Sequence, residues 1–244
     1  MKFFTLFFSR YPYNFNVFFF VVFALLVTSC RKRDFKEISS SDIAGQTANP
    51  NILKRTNIIV IMGDDIGYEV PTVNGGQSYE TPNLDLLAKT GMRFTQCHSS
   101  PFCAPSRWML VTGKYNFRNF NQYGVLGTDQ RTFANMLHDN GYATAVYGKW
   151  AMDGGDTSIH IFGFDQYAIW NPYKDFEGDH DNKGSHYKNP SIYDNGNFIA
   201  DSLTEGKYGD DIFTDSLMNF IEANKNKNFF AYYPMTLCHA PLSP

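Results

Sequence analysis

Cysteine is scarce in this chain: 244 residues carry only four, at positions 30, 97, 103 and 238, so each can be weighed individually. An excess of either charge is also missing. Twenty-one Lys and Arg stand against 24 Asp and Glu, for a formal charge of −3, and the basic residues are scattered rather than gathered on one predicted face. That removes the electrostatic footprint of a nucleic-acid-binding protein. No internal repeat is present, which excludes solenoids and propellers. What the chain does have is 43% hydrophobic residues, enough for one sizeable core. Its aromatic content is 17%, part of it concentrated near the N-terminus, with the remainder available to the core or to a carbohydrate-binding cleft.

The N-terminal segment reads as targeting. Lys2 and Arg10 make a positive start, and the apolar run from Val17 to Val27 is too short to span a bilayer comfortably, the pattern of a signal peptide. The run ends Val27-Thr28-Ser29-Cys30, which resembles the lipobox of bacterial lipoproteins and implies a lipid on Cys30 as membrane anchor. The expected organisation is therefore a signal peptide over 1–29, a polar tether over 30–54 and a folded domain over 55–244 in a bacterial cell envelope, outside the cytoplasm. Disulfides are permitted there. Cys97 and Cys238 either pair or stay as buried free thiols.

Along the domain, Asn57 to Met62 is a continuously apolar, β-branched run, the pattern of a parallel strand buried on both faces. It ends in Gly63-Asp64-Asp65, and strand carboxyl ends in open α/β sheets face the ligand crevice. Thr81 to Ala88 reads as a short helix with Pro82 in its first turn, stopped by Gly91. Met92 to His98 alternates as a strand would, and a helix is expected to begin at or near Pro105, which puts Cys103 at its N-terminus. A helix over Phe133–Leu137, a strand over Ala143–Gly148, a helix over Asp215–Ala223 and a buried strand over Phe229–Tyr233 complete the pattern. Trp170 to Asn197 has no clear period and reads as a long surface insertion, with its polar, aromatic part from Trp170 to Tyr193 the expected seat of substrate specificity. The fold class expected is α/β, with a largely parallel central sheet flanked by helices.

Thiols at helix N-termini beside arginine are activated as nucleophiles, so Cys103 is a candidate on physical grounds. The segment Cys103-Ala104-Pro105-Ser106-Arg107, with Thr112-Gly113 behind it, resembles the signature of the type I sulfatases of the alkaline phosphatase superfamily. Four further stretches resemble that family in the same order: Gly63 to Tyr68, Glu80 to Asp85, Gly148-Lys149-Trp150 and His239-Ala240-Pro241. The resemblance implies that Cys103 is oxidised to formylglycine by a separate maturation enzyme, and that its hydrate attacks the sulfur of a sulfate ester, such as one on a sulfated glycan. It implies Ca²⁺ held by Asp64, Asp65 and the group at Cys103, hard oxygen ligands suiting that ion. It also implies Arg107 holding the hydrated aldehyde, Lys149 on a sulfate oxygen and His239 on the leaving-group side.

Two departures bear on this. Where the family often reads Gly-Lys-Trp-His-Leu-Gly, this chain has Ala151, so the expected histidine is replaced; His160, His180 and His186 are the downstream histidines available. The chain also stops at Pro244, before the family's remaining metal ligands and smaller C-terminal subdomain, and reads as the N-terminal portion of such an enzyme. The rival readings are a catalytically impaired surface protein that binds sulfated glycans, and a related metal-dependent phosphatase or phosphonate hydrolase.

Overall fold

A computed structural model describes residues 56–170 and 186–240. The stretches read above as signal peptide and tether, with Cys30, and also His180, lie outside them. A six-stranded sheet forms the centre, in the order β1 (Ile58–Met62), β6 (Phe229–Pro234), β2 (Ala143–Lys149), β3 (Gln166–Trp170), β4 (Ile192–Asp194), β5 (Asn197–Phe198). The first four in that order run parallel, and β4 and β5 close the far side antiparallel. This is the mostly parallel α/β sheet expected.

Alternation along the central strands sends side chains into two separate cores. On one face Val146, Phe230 and Tyr232 meet Ala104, Trp108 and Val111 of a helix α2 (Cys103–Thr112) and Ala134 of α3 (Phe133–Asp139). On the other, Ala145, Tyr147, Ala231 and Tyr233 meet Phe213, Leu217 and Phe220 of α6 (Gly209–Asn224). Each fully buried large side chain contributes about 1.5–3 kcal/mol, so these aromatic layers dominate the stabilisation.

The expectation for β1 is corrected. The strand is buried on one face only: Ile58, Val60 and Met62 pack against the first core, while Ile59 and Ile61 are 44% and 60% exposed. A continuous apolar run cannot by itself distinguish a central strand from one at the end of the sheet. The strand expected over Met92 to His98 is absent too. That stretch is irregular, Met92 and Phe94 are exposed, and alternation without a neighbouring strand to pair with does not make a ladder. The insertion is partly sheet: Ile192–Asp194 and Asn197–Phe198 form β4 and β5. Cys97 and Cys238 are both unpaired, and exposed rather than buried.

Local signals explain the other elements. The helix α1 (Pro82–Thr90) starts on proline and ends where Gly91 N–H donates to Leu87 O. Thr132 and Asn135 cap α3 reciprocally, worth about 1 kcal/mol. Helix α6 starts at Gly209, earlier than expected, with Asp210 and Asp211 in its first turn, where carboxylates complement the helix dipole. A short helix α4 (Gly155–Ile161) and the four-residue α5 (Asp201–Thr204) fill connections that carried no pattern in the sequence.

Candidate active site at the carboxyl edge of the sheet

The ends of β1, β2 and β6 and the start of α2 meet at the carboxyl edge of the parallel strands. Helix α2 begins at Cys103, its first residue, after extended Phe102. Pro105 falls in the first turn, where a missing N–H leaves nothing unpaired. Gly113 ends the helix with φ 65° and an N–H to Met109 O. Arg107, one turn beyond Cys103, is fully buried.

Three of the expected residues converge closely. Lys149 Nζ donates to Asp64 Oδ2 at 2.6 Å, and Arg107 Nη2 donates to the same oxygen at 3.2 Å. Arg107 Nη1 also donates to Lys149 O at 3.0 Å, so the guanidinium ties α2 to the end of β2. All three side chains are nearly inaccessible. Two cations share one carboxylate, which leaves the cluster with a net positive charge. Arg107 Nε is buried without a hydrogen-bond partner.

The backbone explains why these groups meet. The ladder between β1 and β6 continues past both strands: Met235 N–H donates to Met62 O, Asp64 N–H to Leu237 O at 2.8 Å, and Cys238 N–H to Asp64 O at 2.6 Å. At the end of β2, Gly148 adopts φ 118°, and a Cβ there would stand 2.2 Å from Pro234 O. Only glycine permits that approach, and it sets the direction of Lys149. Trp150 then anchors the strand end, buried between Phe162 and Phe164 with its Nε1 donating to Ser158 Oγ.

The remaining expected residues lie on the open side. Asp65 has φ 53°, a left-handed geometry that aspartate tolerates, and its side chain is 60% exposed. His239 Nε2 is 4.0 Å from Asp65 Oδ2, and its Nδ1 is buried without a partner. Cys103 Sγ contacts Tyr123 Oη at 3.3 Å. Among the described residues, no group of three His, Cys, Asp or Glu is arranged to hold a metal ion. Asp64 and Asp65 have the right chemistry for a hard cation, but two carboxylates, one already shared by Lys149 and Arg107, do not by themselves make a calcium shell.

Of the downstream histidines named above, His160 and His186 fall among the described residues, and both are engaged. His160 Nδ1 bonds Phe164 O, and its Nε2 is 3.4 Å from Asp156 Oδ1. His186 is buried against Trp170 and Tyr187, and its Nε2 meets His239 O at 3.0 Å. Burial holds the His186 pKa below the usual imidazole value. Tyr187 donates to the same carbonyl at 2.8 Å and to Thr236 O, and burial keeps its phenol protonated by raising its pKa. Asp210 binds the Thr236 amide and hydroxyl. The His239 segment is thus fixed by His186, Tyr187 and Asp210, and sequence reasoning gave Tyr187 and Asp210 no role. Their contacts reach across tens of residues, so no local pattern announces them.

Comparison with known proteins identifies the lineage of this arrangement. The Sulfatase family profile matches residues 56–244. The chain belongs to the sulfatase family. It is 33% identical over 195 residues to an N-acetylglucosamine-6-O-sulfatase of Bacteroides thetaiotaomicron, covering 78% of this chain and 32% of that protein. It is 30% identical over 236 residues to arylsulfatase G of Rattus norvegicus, covering 82% of this chain and 44% of the relative. A solved structure of a protein in complex with its substrate, D-glucosamine-2-N,6-O-disulfate, matches with TM-score 0.65 and 34% identity, over 78% of this chain and 36% of that one. The chain therefore spans about a third to under a half of the length of these relatives.

Proposed function

We propose that this chain is the nucleophile-bearing part of a sulfatase that hydrolyses sulfate esters of glycans, with formylglycine formed from Cys103. The observation that carries the reading is the sharing of Asp64 by Lys149 and Arg107 beside the start of α2. The site holds fixed, dehydrated positive charge that includes Arg107, one helical turn along α2 from position 103, and cleavage of a sulfate ester develops negative charge on oxygen. Formylglycine supplies a hydroxyl nucleophile on sulfur and a second hydroxyl through which sulfate is later released. Around it, Arg107 fixes the start of α2 against β2, Lys149 offers its ammonium to a sulfate oxygen, and His239 holds or gives a proton on the open side. Calcium belongs to the reading as the ion that Asp64, Asp65 and position 103 would hold, with further oxygen ligands required.

The relatives named for N-acetylglucosamine-6-O-sulfate and complexed with a sulfated glucosamine favour a sulfated amino sugar as substrate. A maturation enzyme would convert Cys103, and a lipid on Cys30 would hold the protein at the bacterial envelope. The alternative of an impaired glycan-binding protein is favoured by one observation: Ala151 is fully buried and brings no polar side-chain atom to the site.

The test is coexpression with a formylglycine-generating enzyme and mass measurement of the Cys103 peptide, followed by assay of sulfate release from N-acetylglucosamine-6-sulfate and of phosphate release from its phosphate analogue. A peptide lighter by about 18 Da is expected, with sulfate released in preference to phosphate. An unmodified peptide would end the formylglycine mechanism. A converted peptide that binds the sulfated sugar without turnover would favour the binding protein, and preferred phosphate release would favour the phosphatase.

A further inference from the structure

We propose that Tyr123 is a catalytic residue of this site, its hydroxyl being the hydrogen-bond partner of the reacting group at position 103. The inference rests on the sulfatase reading above and deepens it by naming a group that no motif supplies. Tyr123 Oη lies 3.3 Å from Cys103 Sγ. A hydroxyl on the same carbon, with its shorter bond to Cβ, needs a shift of about 0.5–1 Å to reach an ordinary O–H···O distance.

The placement of Tyr123 is built in. It occupies a tight turn in which Val125 N–H donates to Gln122 O at 3.1 Å and Gln122 bridges Val125. Gly124, with φ 86°, shapes the turn, and the next residue but one, Leu126, is buried in the first core. The turn is clamped from outside: Asp153 N–H donates to Gly124 O at 2.7 Å. Asp153 lies two residues after Ala151, which is itself buried at φ 56°. The segment that brings alanine to the site thus also fixes the turn that brings tyrosine to it. His160 and His186, meanwhile, are committed to Phe164 and His239.

Aldehyde and water are in equilibrium with the hydrate, and a hydroxyl that bonds the hydrate favours it over the free aldehyde. Tyr123 therefore stabilises the form that carries both hydroxyls. Loss of one such bond shifts the equilibrium by about three- to ten-fold.

The experiment uses the full chain coexpressed with a formylglycine-generating enzyme, as wild type, Tyr123→Phe and Tyr115→Phe. Tyr115 is an exposed tyrosine stacked on Phe117 and serves as reference. The conversion of position 103 is read first by peptide mass, and an aminooxy probe then labels the free aldehyde, forming the oxime and releasing water. Tyr123→Phe is expected to label about three- to ten-fold faster than wild type, with Tyr115→Phe at the wild-type rate. Equal rates for all three overturn the proposal while leaving the sulfatase reading intact. If peptide mass shows no conversion, the formylglycine reading fails, and the contact is read on the thiol by iodoacetamide at one fixed pH. Slower alkylation of Cys103 alone in Tyr123→Phe, with Cys97 and Cys238 unchanged, supports the contact between Tyr123 and the reactive atom. Unchanged alkylation of Cys103 overturns it.

Discussion

Asp64 and Asp65 are consecutive residues on the same loop, yet they belong to opposite halves of the site. Asp64 is 4% exposed, and its Oδ2 is held by Arg107 and Lys149; Asp65 is 60% exposed and faces His239 at 4.0 Å. The half around Asp64 is dry and, apart from the unpartnered Arg107 Nε, bonded within itself, so it sets the positions and the field. The half around Asp65, with Cys103, Tyr123 and His239, lies nearer solvent, where a ligand can approach it. The difference teaches that one pair of carboxylates in a motif divides between framework and contact, and that substitution should separate the two roles.

The largest effect is expected at Asp64. Asp64→Ala leaves Arg107 and Lys149 buried as uncompensated cations, and removing one partner of such a group costs about 3–5 kcal/mol. Urea denaturation of the variant reads this directly. A loss below about 1 kcal/mol would show that the cluster is solvated, and the contrast between the halves would collapse.

Next comes Gly148→Ala. Its Cβ would be driven onto the Pro234 carbonyl at a positive φ, costing about 1–3 kcal/mol and shifting Lys149 away from Asp64. The same denaturation curves check the stability change. A fall in sulfate-ester affinity beyond the stability loss would locate the strain at the site.

His186 sharpens the comparison through pH. Its folded pKa lies below the unfolded imidazole value because burial disfavours the cation, with His239 and Lys149 adding repulsion and the His239 carbonyl and Asp210 opposing. Between the two values the unfolded chain binds more protons. The stability this group contributes is therefore complete above the unfolded pKa and is lost as pH falls through the window down to the folded one. Comparing urea midpoints at pH 7.5 and pH 5, His186→Gln should lose less on acidification than wild type; an equal loss would assign the acid sensitivity elsewhere.

The smallest stability effect belongs to Asp65→Asn, expected to stay within about 0.5 kcal/mol of wild type because the side chain is exposed. If calcium raises the melting temperature of wild type, the same variant should lose that response. A large stability loss in the absence of calcium would place Asp65 in the framework after all.

Much of the framework was legible from residue patterns. The buried runs of β2 and β6, the proline and glycine punctuation of α1 and α2, and the capping of α3 are all short-range signals. Asp64, Arg107 and Lys149 were each singled out by motif, and the structure joins them through contacts 43 and 85 residues apart in sequence. What local patterns misjudged was neighbourhood. Asn57 to Met62 and Met92 to His98 have strand-like composition, but burial of the first and pairing of the second depend on what lies alongside. The β3 segment Gln166–Trp170 is too short to show a period. Tyr123 sits in a turn, and its contact with Cys103 follows from how Asp153 holds that turn, a relation no spacing in the sequence encodes.

The bond between Asp64 and Lys149 also has a meaning for the order of assembly. In the sheet β1 and β2 are not neighbours, because β6 runs between them, and β6 is drawn from far later in the chain. Asp64 and Lys149 can therefore meet as they do only after a distant strand has threaded between their own, and such non-local parallel pairing is slow. The charge cluster is a clasp that can close only once β6 lies between β1 and β2. A nascent chain that has emerged as far as Lys149 already contains Asp64, Cys103, Arg107 and Lys149, and still lacks the strand that brings them to one edge.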